Sequence, residues 1–584
     1  MTVRIAICAA SLLAAAALHA APAAQAIPPD ETRIAAIAAA LPEKPGGNEC
    51  FDRLDREVDF PKAEKLLGSP VPDVPDALYL EFRQNGNRTH YQEAYIDRRM
   101  GGFRTLVTAE RVEGKGCFLP KVVEYMEAMA GQRSWVLPAH DRALGNFYGT
   151  NLTIDLVSSH LALDLANALD SFRGCLPERT VRRVTDEIER RVFALYRADW
   201  ASPKPKHWWF YGMNNWNAVC HGGVVRAALQ IEPDRMDRAR FVEAAMRGQD
   251  SFLKGGFEDD GYCSEGMSYW EYGFGNYIDM GLAIRRATKG RFDLFAEGGA
   301  RARAAAAYPF AFQLQKDISP HFADGGGNPS THRRRQCREI WPGLGGDASL
   351  PPRSVFPSAQ VFISRVDGAR PFSLAIKGGS NAERHNHNDV GTWTLMLDGV
   401  ELAGDPGGEV YTARTFSARR YESDVLNSYG HPVPRIDGQL QPEGGRFRAK
   451  VLKTDFTDAK DTVVLDLSGA YAVKGIRCLV RTSVFDRAAR SFTVSDEAEF
   501  DRPMAFDVPI ITYCAVERGA TPGEFTLKGA RGVAASVAVS ASGGEWELQE
   551  KIIENPGRPA PRRIAAAFTR PVAKAAVAFT IKEK

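Results

Sequence analysis

From about residue 31 to about residue 341 the apolar side chains recur mostly at helical spacing, as in LTIDLVSSHLALDLANAL (152–169), VRRVTDEIERRVFALY (181–196) and AVCHGGVVRAALQI (218–231). This part of the chain is predicted to be mostly helical. Segments rich in Pro and Gly interrupt it, among them SPKPKHWWFYGMNNWN, FEDDGYCSEG and FADGGGNPS, and a helical scaffold carries its polar chemistry in such loops. After GLGGDASLPPR (343–353) the period changes to short alternating runs: AQVFISRV, FSLAIK, TWTLMLDGVEL, TVVLDLS, CLVRTSVF, SFTVSDEAEF and AVAFTIK. These read as antiparallel strands, and their number predicts a sandwich. The expected fold is therefore multidomain, α then β: an α-toroid or other layered helical domain over 27–345, then an antiparallel β-sandwich over 355–584. No tandem repeat is visible.

Composition adds an address and removes some functions. Residues 1–26, MTVRIAICAASLLAAAALHAAPAAQA, have an early arginine, an apolar run and small-residue sites ending at Ala20 or Ala26, as a secretory signal does. The run is shorter than the roughly 20 residues of a spanning helix, so a periplasmic or secreted protein with no membrane insertion after signal removal is expected. The net charge of +2 on 584 residues gives no footprint for nucleic acid, and an acidic substrate would have to be held by a local cleft. Beyond Cys8 the cysteines are scattered, with no CxxC pair for a thiolate zinc site or redox motif.

Several polar constellations stand out. Asn214 to Asn217, NNWN, opens an amphipathic run where an asparagine would serve as helix N-cap. In EGMSYWEYG the spacings of Glu265, Tyr269 and Tyr272 would align them on one helix face, and by itself the tyrosine pair reads as core. The aromatic density of these loops, with Trp208, Trp209, Phe210, Tyr211, Trp216, Tyr262 and Trp270, suits either a platform for sugar rings or plain packing. His385 and His387, two apart in HNHND, would point to the same side of an extended strand, and Asp405 and His431 add ligand types that zinc accepts. The arginine run 333–335 reads as a solvated face, and DGGGN (324–328) as a turn, because it lacks the lysine of a phosphate loop.

Taken in order, WVLPAHD, NNWNAVCHGG, EGMSYWEYG, HNHNDVGTW, GDPGG and NSYGHPVP make the chain resemble the heparinase II/III-like polysaccharide lyases over most of its length. The resemblance implies an incomplete (α/α) toroid followed by an antiparallel β-sandwich, with the active site in the cleft between them. It implies β-elimination on a uronic-acid-containing glycan of glycosaminoglycan, alginate or exopolysaccharide type. Asn215 matches the amide donor that neutralises the uronate carboxylate, with Asn214 as second choice. Tyr269 and His385 match the proton-transfer residues, with Tyr272 as fallback for the tyrosine. Asn214, Trp216, Tyr272 and Glu265 fall on the substrate side, Glu265 as a residue that orients its loop. His387, Asp405 and His431 match a structural zinc site. Where many relatives have a histidine after the asparagine pair this chain has Trp216, which resembles the heparinase III-like members more than the heparinase II-like ones.

Two other classes remain open from the sequence. One is a glycoside hydrolase on a helical toroid, using two carboxylates among Glu258, Asp259, Asp260, Glu265 and Glu271. The other is a non-catalytic glycan-binding protein, against which the joint presence of Asn215, Tyr269 and His385 argues.

Overall fold

The structure, a computed structural model, describes residues 27–46, 58–345 and 349–584. The expected signal segment and Cys50 lie outside the described residues. The helices run from Glu31–Ala40 to Thr331–Ile340 and the strands from Arg353–Phe356 to Val572–Glu583, so the predicted order of α then β holds. No described helix is long and apolar enough to cross a membrane.

The chain forms two compact units. The first takes in the chain up to Gly256, with Tyr272–Gly299 and Tyr411–Ser417; the second takes in Phe257–Glu271, Ala300–Val410 and Ala418–Lys584.

In the first unit, local signals start the helices and small residues let them close on one another. Leu156–Ser171 opens on a capping box, in which the Asp155 side chain accepts from the backbone N–H of Ser158 and the Ser158 hydroxyl accepts from the Asp155 N–H. It packs on Asn215–Ile231, a helix buried on nearly every side. The approach depends on Gly223, where a Cβ would lie 2.7 Å from the Ser159 backbone. Within this helix His221 is fully buried and neutral by geometry. Its Nε2–H donates to the Phe210 carbonyl at 2.9 Å, so Nδ1 accepts from the Tyr196 hydroxyl at 2.6 Å. Burial pushes its pKa down to about 4.

In the second unit the alternation read from the sequence produces antiparallel sheets. A five-stranded meander runs from Arg353–Phe356 through Phe372–Lys377 and Trp393–Leu397 to Val400–Ala403. An eight-stranded sheet contains the long strands Ile476–Asp486 and Ser491–Met504, whose residues alternate between buried and partly exposed. The two sheets share one core: Trp393 meets Phe492 edge-on at 4.9 Å, and Phe372 stacks on Phe485 at 5.1 Å. A buried charge pair lies beside this apolar interior. Arg481 bonds Asp496 on the neighbouring strand through two nitrogens, at 2.9 and 2.7 Å, and donates to the carbonyls of Gly391 and Pro432 at 2.8 and 2.6 Å. The sheet thereby holds the backbone next to both histidine-bearing segments.

The seven cysteines among the described residues are all unpaired.

Candidate functional site

Of the candidates read from the sequence, Asn214, Asn215, Trp216 and Tyr272 belong to the first unit, and Glu265, Tyr269, His385, His387, Asp405 and His431 to the second.

In the first unit the asparagines divide their work. Asn214 is the N-cap of Asn215–Ile231, its side-chain oxygen accepting from the Trp216 N–H at 3.2 Å. Asn217 is buried and donates to the carbonyls of Phe210 and Gly248. Asn215, in the first turn, is 9% exposed, and its Cβ would lie 3.1 Å from a Cβ at Gly273, so the glycine after Tyr272 makes the room it occupies. The aromatic cluster resolves mainly into core, since Trp209, Phe210, Tyr211, Tyr262 and Trp270 are buried. Trp208 is the exception, 50% exposed and tilted against the partly buried Trp216 at 5.3 Å. Trp216 in turn meets His140 at 4.6 Å.

Two sequence expectations need correction. The helix carrying the tyrosines spans Met267–Ala287, so Tyr269 and Tyr272 are one turn apart on it while Glu265 precedes it. Gly266, at φ 90°, turns the chain between them, and a Cβ there would lie 2.3 Å from the Gly325 carbonyl oxygen. Glu265 therefore does not share a helical face with the tyrosines. Nor are His385 and His387 on a strand. They lie in an irregular turn with His385 in the left-handed region, φ 53°.

What brings the two histidines together is a residue that the sequence reading treated only as part of a turn. Asp324, whose side chain is 0% exposed, places one carboxylate oxygen 3.0 Å from His385 Nδ1 and the other 3.0 Å from His387 Nε2. Arg420 bonds the same carboxylate at 2.8 Å and donates to the carbonyls of His385 and Asn386. Burial alone would raise the Asp324 pKa, but the bonds from the two histidines and the Arg420 charge hold it well below the ordinary carboxylate range.

Tyr269 lies against the face of the His385 ring. The rings stack at 4.4 Å with 30° between planes, and the hydroxyl is 3.5 Å from His385 Nδ1. Glu265 Oε2 is 3.7 Å from His385 Nε2. Tyr269 and His385 are both partly exposed, whereas Asp324 and Glu265 behind them are buried. A phenol and an imidazole thus sit at a surface, backed by carboxylates. A pair so arranged can hand a proton in and take one out.

His387, Asp405 and His431 form a second cluster, buried, with one ligand atom from each within 4.8 Å of the others. His387 Nδ1 and His431 Nε2 are buried without a hydrogen-bond partner among the described residues, which is costly unless a further group binds there. Two imidazoles and a carboxylate are a donor set for a divalent metal such as zinc, and the Asp324–His387 bond supplies the carboxylate behind the imidazole that metal-binding histidines need. Burial pushes the Asp405 carboxyl up, but the His431 and His387 imidazoles more than offset this and hold it well below its usual range. The 333–335 arginines also have partners: Arg334 pairs with Asp317, and Arg333 bonds Gln336 at 2.8 Å.

No protein-family model matches the sequence, and no curated protein matches it. Solved structures do. A crystal structure of heparinase III aligns with a TM-score of 0.61 at 15% identity, covering 84% of this chain and 77% of that one. A second heparinase III structure aligns with a TM-score of 0.61 at 13% identity, covering 93% of each. The heparan sulfate lyase HepC from Pedobacter heparinus aligns with a TM-score of 0.59 at 13% identity, covering 94% of this chain and 87% of that one. At these identities the likeness is one of fold: the chain has the heparinase III-like fold, an incomplete (α/α) toroid followed by an antiparallel β-sandwich.

Proposed function

We propose that the chain is a polysaccharide lyase that cleaves a uronic-acid-containing acidic glycan by β-elimination. The observation that supports this most is the stacked Tyr269–His385 pair with Asp324 bonded behind the imidazole. β-Elimination needs a base for the C5 proton of the uronate, a donor for the departing glycosidic oxygen, and a neutraliser for the carboxylate whose charge opposes C5 ionisation. Tyr269 and His385 carry the two proton transfers. The base takes the C5 proton, the released electron pair becomes the C4–C5 double bond as the C4–O bond breaks, and the acid protonates the leaving oxygen. The ring face from which the C5 proton departs decides which residue takes it.

Asn215 is proposed as the amide donor to the uronate carboxylate, with Asn214, Trp216 and Tyr272 on the substrate side and Glu265, buried behind His385, orienting the substrate-side loop. Zinc, held by His387, Asp405 and His431, would have a structural role, fixing the loop that presents His385. The order of parts proposed is a signal segment, 1–26, a helical domain, 27–345, and a sandwich domain, 355–584, in a periplasmic or secreted protein. The similar structures are of heparinase III and a heparan sulfate lyase, so a heparan-type glycan is the first substrate to try.

The test is incubation of the purified protein with a panel of uronate polysaccharides. Growth of ultraviolet absorbance from the conjugated double bond is expected with at least one of them. New reducing ends without that absorbance would instead identify a hydrolase.

A further inference from the structure

Segment 383–389 carries both His385 and His387, yet it contains no helix or strand to hold it. The left-handed turn at His385 makes this more demanding, because a non-glycine residue keeps that conformation only where the surroundings impose it. Asp324 and Arg420 act at the middle of the segment. Its two ends are held by one buried cation. Lys377, the last residue of Phe372–Lys377, places Nζ 2.9 Å from Glu383 Oε2 and 3.0 and 3.2 Å from the two Asp389 oxygens. Its side chain is 1% exposed, that of Asp389 0% and that of Glu383 13%.

A buried ion cluster is weak evidence for stability, since desolvation offsets most of the attraction. The strand carrying Lys377 is already paired on both sides, with Val361–Val366 and Trp393–Leu397. The Lys377 backbone also bonds Thr392 and Gly391, just past the segment. What the ammonium adds is specific to the segment. Its two carboxylate partners are the residues at either end, one two positions before His385 and the other two positions after His387.

We propose that Lys377 is a positioning residue for the proton-transfer site. Its ammonium draws the ends of segment 383–389 to one point, and the span so fixed seats His385 against Tyr269 and Asp324 and turns His387 toward Asp405 and His431. This rests on the roles proposed above for those histidines. It also goes further, since it makes the two arms separable: Glu383 steadies the catalytic histidine and Asp389 the metal-binding one.

The test uses Glu383→Gln, Asp389→Asn and Lys377→Met in the full chain, read by steady-state kinetics, by zinc retained during dialysis against EDTA, and by melting temperature. Glu383→Gln is expected to lower kcat at least about tenfold with KM within about twofold and zinc retention unchanged. Asp389→Asn is expected to release zinc faster, and Lys377→Met to show both defects. If Lys377→Met does not fold, the two single-arm variants decide. Wild-type kcat in Glu383→Gln together with wild-type zinc retention in Asp389→Asn would overturn the proposal and leave a cluster that only adds stability. If the unaltered protein cleaves no uronate glycan, the lyase reading fails by itself, and zinc retention in Asp389→Asn still decides whether the clamp exists.

Discussion

The Asn215 turn and the histidine segment are held in place in opposite ways. Asn215 sits in the first turn of a long helix whose start is set by the residue before it, Asn214, and whose packing is set by glycines. Its geometry follows from its neighbours in sequence. His385 and His387 sit in a turn without repeating hydrogen bonds, and distant charged side chains hold them: Asp324, Arg420 and Lys377. A local site tolerates loss of one contact, whereas a site held by buried charge loses its geometry when one charge goes.

The comparison can be broken at several points. The largest effect is expected for Tyr269→Phe, which removes only a hydroxyl at a helix position that packing already fixes. Turnover should fall by about 10³-fold or more with an unchanged melting temperature, and activity near wild type would take Tyr269 out of the chemistry. Next comes Asp324→Asn. Neutralising a buried carboxylate bonded to two imidazoles and a guanidinium should cost on the order of 3 kcal/mol in stability and lower kcat by about 10²-fold, together with metal content. An unfolding curve that superimposes on the wild type would show that the charge is dispensable.

On the proposed roles, His387→Ala should lower metal content and reduce activity by about 10- to 100-fold, acting through His385's surroundings rather than on substrate. Elemental analysis of the purified variant checks this directly.

The helical unit makes its own pH prediction. His221 has a folded pKa of about 4, below its ordinary value of 6.5, so between these values the unfolded chain binds more protons. Its contribution to stability is complete above pH 6.5 and declines as pH falls toward 4, by up to about 1.4 kcal/mol per pH unit. A His221→Gln variant should have a flatter stability profile across that window, and an unchanged slope would assign acid sensitivity elsewhere. The smallest effect is expected for Asn214→Ala, about 1 kcal/mol of helix stability from the lost cap. A loss of turnover much larger than this accounts for would show that Asn214 serves the substrate side as well as the cap.

The same contrast explains what the sequence discloses. Periodicity separates the helical part from the sheets because burial on one face repeats along the chain. Asn214 is readable as a cap because its partner is two residues away. Asp324 was legible only as part of a glycine-rich turn, since its partners lie 61 and 63 residues downstream and nothing local marks a shared carboxylate. Arg420 and Lys377 were missed for the same reason. The error over Glu265 is of another kind: spacings of four and three fit a helix, but Gly266 takes a positive φ and the helix starts at Met267.

The shared carboxylate of Asp324 also bears on how this site can evolve. Because one side chain serves both His385 and His387, substitutions at these two histidines, proposed as catalytic and metal-binding, should be epistatic: each changes the partner left to the other. A lineage replacing His387 would first have to re-anchor Asp324, so on the proposed roles the easier mutational path keeps metal and base together. A double-mutant cycle between the two histidines would measure that constraint as a coupling energy.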